Sequence, residues 1–512
     1  MALIRSAATV GGYTMLSRVL GFLRDILIAA ALGAGPVADA FFLAFRIPNM
    51  FRRLVAEGAF AAAFVPMYSR RLEADGPGPA RGFAEAVLAV LLGALLAITL
   101  VAEITMPWLM RAVAPGFLGD PEKFDLAVLF TRITFPYLLF MALVALFGGV
   151  LNAHLRFAAA AAAPLLLNLV LIAAVLGFAD AGPTPGHALA WGVALAGAGQ
   201  FVWMALACRR AGIALRLPRP RLTPEVKRLL RLMVPAGLTA GVYQINLLVG
   251  TIVATLEGSA VSYLYYADRV SQLPLGVVGV ALGTALLPML SRALQAGDRV
   301  LAIDQQCRAI EVGLLLTLPA AAALIVIAEP VIAVLFERGA FGAEAVAATG
   351  AGLAAFALGL PAYVLVKVLV PGFFARQDMV TPLKASLAAM AANIALIAAL
   401  FPALGFVGIA LATAASSGLH AGLLWWWLAR RGLLVMDDRL RRRLPRMILA
   451  SAVMAAGLWL AARGLERPLA GDLPGRILAL AALVAGGMAL FGLCAQVFGA
   501  ARLGERRRMV GR

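Results

Sequence analysis

Stretches of about twenty apolar residues recur from one end of this 512-residue chain to the other, and that recurrence decides what it can fold into. As a helix, such a run crosses about 30 Å of hydrocarbon. Lipid offers no hydrogen bonds, so every backbone donor and acceptor must be satisfied internally and the runs have to be helical. The period-2 alternation of a membrane β-barrel is absent. Composition closes the soluble alternative: 63% of residues are hydrophobic and 14% charged, against about 45–50% and about 25% in soluble domains.

Breaks at Gly, Pro and charge clusters divide the chain into about fourteen transmembrane spans: 7–33, 37–70, 80–112, 122–152, 157–180, 185–211, 225–257, 259–293, 299–336, 343–376, 380–401, 406–430, 441–463 and 474–500. The loops between them leave no room for a soluble domain. The widest polar interruption, 212–224, holds Pro218, Pro220 and Pro224 and reads as a cytoplasmic linker between halves. Those halves resemble each other. FVPMYSR (64–70) aligns with LLPMLSR (286–292), Pro136 with Pro361, and Asn168 with Asn393, at offsets of 222, 225 and 225 residues. The expected architecture is all-α: a six-helix lobe at 1–211, a pseudo-symmetric six-helix lobe at 225–430, and two added helices with a basic tail at 431–512. Six helices per repeat make the repeats parallel, with a substrate site expected between them.

The net charge of +18 would suggest nucleic acid on a soluble chain, but position decides otherwise. Most Lys and Arg residues fall in one alternating set of loops and tails, densest at 209–231, 430–446 and 502–512. This is the positive-inside pattern, which places both termini in the cytoplasm and sets the basic charge against anionic lipid headgroups. Nucleic acid is not an expected partner. Cys208, Cys307 and Cys494 are far apart, with no CxxC or Cys/His spacing, so neither a disulfide framework nor a zinc site is indicated. The first segment, with Thr9, Tyr13, Thr14, Ser17 and Arg18, is too polar for a cleaved signal peptide and reads as a retained helix.

An ionisable side chain near mid-bilayer costs about 2.5–3.5 kcal/mol on insertion scales, so such residues face protein or water. Here they concentrate in the first two helices: Arg18, Arg24 and Asp25, then Asp39, Arg46, Arg52, Arg53 and Glu57. Later in the chain the deep charges are Arg132, Asp268, Arg269 and Lys367. At about 100° per residue, Arg18 and Asp25 share a face, and Asp39, Arg46, Arg53 and Glu57 form one stripe. Pro48 can rotate Arg52 toward the same space by kinking the second helix. Singly, Arg46, Arg53 or Arg132 could snorkel to the interface; eight charges in two adjacent helices exceed what packing requires. The expectation is a wet cationic cavity in which guanidinium forks bind a diphosphate.

SRVLGFLRD (17–25), ADAFFLAFRIPNMFRRLVAEGAFAAAFVP (38–66), LYYADRVSQLPLGVVGVALGTALLPMLS (264–291) and VPGFFARQD (370–378) resemble the MurJ (MviN) family of lipid II flippases, within the multidrug/oligosaccharidyl-lipid/polysaccharide exporter superfamily. The resemblance spans essentially the whole chain. It implies movement of lipid II, the undecaprenyl-diphosphate-linked peptidoglycan precursor, from the cytoplasmic to the outer leaflet of a bacterial cytoplasmic membrane. It implies that Arg18, Arg24, Arg52, Arg269 and Lys367 bind substrate, that Asp25, Asp39, Glu57 and Asp268 are their acidic partners, and that 441–500 form a groove for the polyprenyl tail. Arg53 and Gln272 are secondary candidates; some relatives carry glutamate at the position of Gln272. Some relatives bind sodium through C-terminal-half carboxylates, but 231–256 and 386–428 contain no Asp or Glu, so a site of that type is not expected.

No GxxxxGK[ST] phosphate loop occurs, and His154, His187 and His420 are scattered. A transporter is expected, not an enzyme, with no metal or cofactor. Alternating access would be driven by the membrane potential, and cell-wall synthesis proteins are candidate partners. The alternatives are a flippase for another polysaccharide-linked lipid, a drug/cation antiporter of the same superfamily, or a non-transporting scaffold.

Overall fold

Proline opens five of the helices in the N-terminal half, at Pro36, Pro77, Pro121, Pro185 and Pro224. At a first turn its fixed φ suits the helix and its missing N–H would have had no partner anyway. The computed structural model describes residues 2–52 and 60–500, and all elements in those residues are helical. The chain forms two compact units, Met1–Ser262 with Arg338–Phe341, and Tyr263–Glu337 with Gly342–Arg512.

The first unit contains α1 (Ala2–Leu32), α2 (Pro36–Phe51), α3 (Ala61–Ala74), α4 (Pro77–Val113), a 3-10 turn (Pro115–Gly119), α5 (Pro121–Thr134), α6 (Tyr137–Ala153), α7 (Ala158–Phe178), α8 (Pro185–Arg210) and α9 (Pro224–Ala254). Helix α6 is apolar on every side and buried along most of its length, as a helix with no polar face must be. It packs on α3, α4 and α8. Close approach depends on glycine: a methyl on Gly149 would sit 2.9 Å from the Phe64 ring, and one on Gly197 2.8 Å from Tyr137. Residues 338–341 join this unit through backbone contact. The Ala340 N–H donates to the Ala30 carbonyl at 2.8 Å, and Gly33 and Gly339, at φ +64° and +58°, leave no space there for a side chain.

The second unit contains most of α10 (Ala260–Gln295), then α11 (Arg299–Val326), α12 (Ala328–Phe336), α13 (Ala343–Leu358), α14 (Leu360–Phe374), α15 (Val380–Arg430), α16 (Asp438–Gly464), α17 (Glu466–Ala470) and α18 (Leu473–Val497). Helix α15 is two helices joined at Gly405, whose φ of 54° and ψ of −143° are open only to glycine; the expected break between 401 and 406 lies there. Helix α16 is fastened to α11 by apolar packing of Leu440 and Met447 and by an ionic hub. There the buried Glu311 carboxylate accepts from Arg443 at 2.5 Å, from Arg439 at 3.2 Å and from Arg308. Arg308 also pairs with Asp437.

Division by compactness and division by internal resemblance follow different criteria. Helix α9 packs on α3 and α4 and is compact with the first unit, although the internal similarity begins its second copy there. The aligned prolines take matching places: Pro136 marks the break before α6 and Pro361 lies in the first turn of α14. Among the described residues, nine helical stretches are long and apolar enough to cross a membrane. Helices α1, α2 and α10, which carry most of the charges singled out above, are not among those nine, whereas α5 with Arg132 and α14 with Lys367 fall within them.

Candidate functional site

Within α1, Arg24 and Asp25 are adjacent and both buried, at 5% and 0% exposure. The guanidinium donates to Asp25 Oδ1 from Nη2 at 2.6 Å and from Nε at 3.0 Å. Its Nη1 donates to Asn168 Oδ1 on α7 at 3.0 Å, and Asn168 Nδ2 in turn donates to the Ser17 carbonyl at 2.9 Å. The Arg24 guanidinium lies 5.9 Å from the centre of the Phe45 ring of α2. A buried guanidinium is thus neutralised by its neighbour, aimed by an amide one helix away, and set against an aromatic face. Arg18, about two turns earlier, is exposed, with no hydrogen bond or ion pair among the described residues.

On α2 the charges separate. Arg46 is half-buried and donates to Thr251 Oγ1 of α9 at 2.5 Å. Half-buried Arg52 donates to Asn49 Oδ1 at 3.1 Å. Asp39, fully buried, is bound elsewhere: Lys123 Nζ of α5 donates to Oδ2 at 2.7 Å, and the Ser262 N–H and Oγ donate to Oδ1 at 2.8 and 2.7 Å. Lys123 also stands 4.2 Å from the centre of the Phe117 ring. Arg53 and Glu57 lie outside the described residues.

In the second unit, Asp268 and Arg269 are consecutive and half-buried on α10. Asp268 accepts from Gln272 Nε2 at 2.5 Å, one turn along. Lys367 of α14 is half-buried, its stem laid along Gly279 of α10, where a methyl would come within 2.8 Å of Lys367 Cδ. Asn393, the aligned partner of Asn168, is buried and accepts from Ser416 Oγ at 3.2 Å.

The structure therefore brings Arg24 to Asp25 and Gln272 to Asp268, and pairs Asp39 with a cation that sequence reasoning passed over. Lys123 stands two residues after Pro121, where it reads as a loop cation. The available signal was position: Asp39 and Lys123 each stand in the first turn of a proline-started helix. Asn168 was singled out as a repeat marker; its hydrogen bond to Arg24 needed the packing of α1 on α7.

Chemically, these helices present guanidinium and ammonium groups inside hydrophobic segments, several carrying their own carboxylate. Such a protein is a polytopic membrane transporter and not an enzyme. The model of the family described as Lipid II flippase MurJ matches residues 28–469. A probable lipid II flippase MurJ of Rhizobium meliloti (strain 1021) is 48% identical over 520 residues, covering 100% of this chain and 97% of that one. The lipid II flippase MurJ of Burkholderia cenocepacia is 38% identical over 460 residues, covering 89% of each. Among solved structures, a lipid II flippase MurJ in an inward closed conformation superposes with a TM-score of 0.81 at 23% identity, covering 96% of this chain and 98% of that one. An inward-facing multidrug transporter of the MATE family, in the MOP superfamily, gives 0.70 at 16% identity, covering 83% and 98%. The chain belongs to the MurJ family.

Proposed function

We propose that this chain flips lipid II from the cytoplasmic to the outer leaflet of the bacterial cytoplasmic membrane by alternating access, both termini lying in the cytoplasm. The observation that carries the reading is Arg24: a buried guanidinium in a hydrophobic helix, held by Asp25 and Asn168 at 2.6 and 3.0 Å. Family membership supports lipid II as the cargo.

Arg18, Arg24, Arg52, Arg269 and Lys367 contact the diphosphate and sugars, with Arg53 and Gln272 in support. Asp25, Glu57 and Asp268 neutralise the cations in the empty state and compete for them at release. Asp39, tied to Lys123, positions α2 in this reading. The helices at 441–500 shelter the polyprenyl tail. Outward movement of an anion is assisted by an inside-negative potential at about 2.3 kcal/mol per charge per 100 mV, so the cycle needs no coupled sodium. An antiporter for organic cations should present carboxylates where this chain presents arginines.

The test is translocation of fluorescent lipid II in proteoliposomes with the membrane potential imposed and collapsed. Transport should rise with an inside-negative potential and fall more than tenfold in Arg24→Gln, with the thermal midpoint monitored alongside. Undiminished transport by folded Arg24→Gln would remove that residue from the site. Dye-coupled lumenal pH change without lipid movement would favour the antiporter.

A further inference from the structure

Helix α7 carries a single polar side chain, Asn168, in 21 residues that are otherwise apolar. Burying an amide without partners is costly, and this one is only 5% exposed. Both ends of it are engaged on α1. Its Nδ2 donates to the Ser17 carbonyl at 2.9 Å and to Ser17 Oγ at 3.3 Å, and its Oδ1 accepts from Arg24 Nη1 at 3.0 Å. Ser17 and Arg24 stand about two turns apart on one face of α1. A helical side chain leans toward the N-terminus, which carries the Arg24 guanidinium back to a level that one amide can span. The direction of the amide follows from its partners: reversed, it would set a donor against the guanidinium and an oxygen against the carbonyl.

The guanidinium is thereby held from two sides that differ in charge. Asp25 Oδ1 takes the edge formed by Nε and Nη2, at 3.0 and 2.6 Å, an edge of the kind with which arginine grips a phosphate through two parallel N–H groups. Asn168 holds Nη1 and is neutral. An anion that displaces Asp25 meets a guanidinium whose Nη1 stays fixed, so Arg24 exchanges one partner without losing its aim. A carboxylate at position 168 would give Arg24 a second permanent counter-charge and oppose the exchange. An apolar side chain there would leave Asp25 alone to set the direction. Fastening α1 to α7 needs only the bond to the Ser17 carbonyl; the bond to Arg24 ties the amide to the site.

We propose that Asn168 is a positioning residue for anion recognition: it is the pivot on which Arg24 turns from Asp25 to the diphosphate of the cargo, and it sets the preference of this chain for diphosphate-bearing lipids. The inference rests on the reading of Arg24 as a diphosphate ligand.

Native mass spectrometry of the full-length protein tests it, with undecaprenyl diphosphate as the probe and undecaprenol, the same tail without the anion, as comparator. The unmodified protein should retain the diphosphate in preference. Asn168→Leu and Asn168→Asp should each reduce that preference about tenfold or more, the scale of one hydrogen bond to a charged group, with the larger loss in Asn168→Asp. Because Asn168→Asp keeps an acceptor for Arg24, it serves as the folded variant should Asn168→Leu lose the packing of α1 on α7. A purely structural amide would weaken retention of both lipids alike or of neither, and either result overturns the proposal. Loss of folding by both variants overturns it too, marking the amide as indispensable packing. Arg24→Gln, measured alongside, separates the two readings. If it keeps the preference, the assignment of Arg24 falls and this inference with it; if it loses the preference while both Asn168 variants keep it, only the role of Asn168 falls.

Discussion

Among the described residues Lys123 is the only cation placed on Asp39, and replacing it by methionine leaves that carboxylate fully buried. At 2.7 Å and an effective dielectric of about 20, the gross attraction is about 6 kcal/mol. Desolvation of both ions opposes it, so breaking such a pair typically costs about 3–5 kcal/mol, and replacing both ions by uncharged groups is often close to neutral. Ser262 still donates two hydrogen bonds to Asp39, which puts Lys123→Met at the lower end. A double-mutant cycle separates the terms. Lys123→Met and Asp39→Asn should each lower the thermal midpoint in detergent, and the double variant should recover most of the loss, with a coupling of about 2–3 kcal/mol. The reasoning is refuted if the two losses add, because then the carboxylate and the ammonium do not stabilise one another.

Three further perturbations have defined outcomes. Glu311→Leu leaves three guanidiniums facing each other at the junction of α11 and α16; it should cost about 3–5 kcal/mol and speed proteolysis at 431–437, and unchanged cleavage would argue against the hub. Burial works against the Asp378 carboxylate, but hydrogen bonds from the Thr381 hydroxyl and amide, together with Arg431, outweigh it and hold its pKa at about 2. Because that value is depressed, the stabilisation is fully present above the unfolded pKa of about 4 and is lost as pH falls from about 4 to 2. Thermal midpoints followed over that window should drop less steeply in Asp378→Asn, and identical curves would contradict the assignment. Gly339→Ala forces an unfavourable φ of +58° and brings a methyl within 2.2 Å of the Ala30 carbonyl, whereas Gly342, with nothing within 4 Å, should accept alanine; size-exclusion yields should fall for the first and hold for the second.

Helical class and most breaks were legible because hydrocarbon permits few solutions: a run of given length must be a helix, and proline or glycine must end or bend it, as Gly405 does. Charge placement was legible at Arg24 and Asp25, neighbours that meet directly. Pairings across helices were not. Helical periodicity put Asp39 on one stripe with Arg46 and Arg53, but the angle around an axis does not say which helix packs against that stripe, and α5 brought Lys123 there. Glu103 was passed over because a single acid inside a long apolar run declares no partner, and Glu311 because Arg308, one turn earlier, already accounts for its charge in the sequence, whereas Arg443 of its hub lies 132 residues along the chain. Arg18 and Asp25 share a nominal face yet differ in exposure, since α7 covers only part of α1.

That separation has a consequence for biosynthesis. A ribosome adding about 5–20 residues per second releases Glu311 roughly 7–26 s before Arg443. Throughout that interval the carboxylate must enter the translocon or bilayer with its distal counter-ions still unmade. Arg308, one turn earlier on the same helix and already in contact with Glu311, is synthesised first and can chaperone the charge until α16 arrives. The order of emergence then makes Arg308 matter most to insertion and Arg439 and Arg443 to the finished protein.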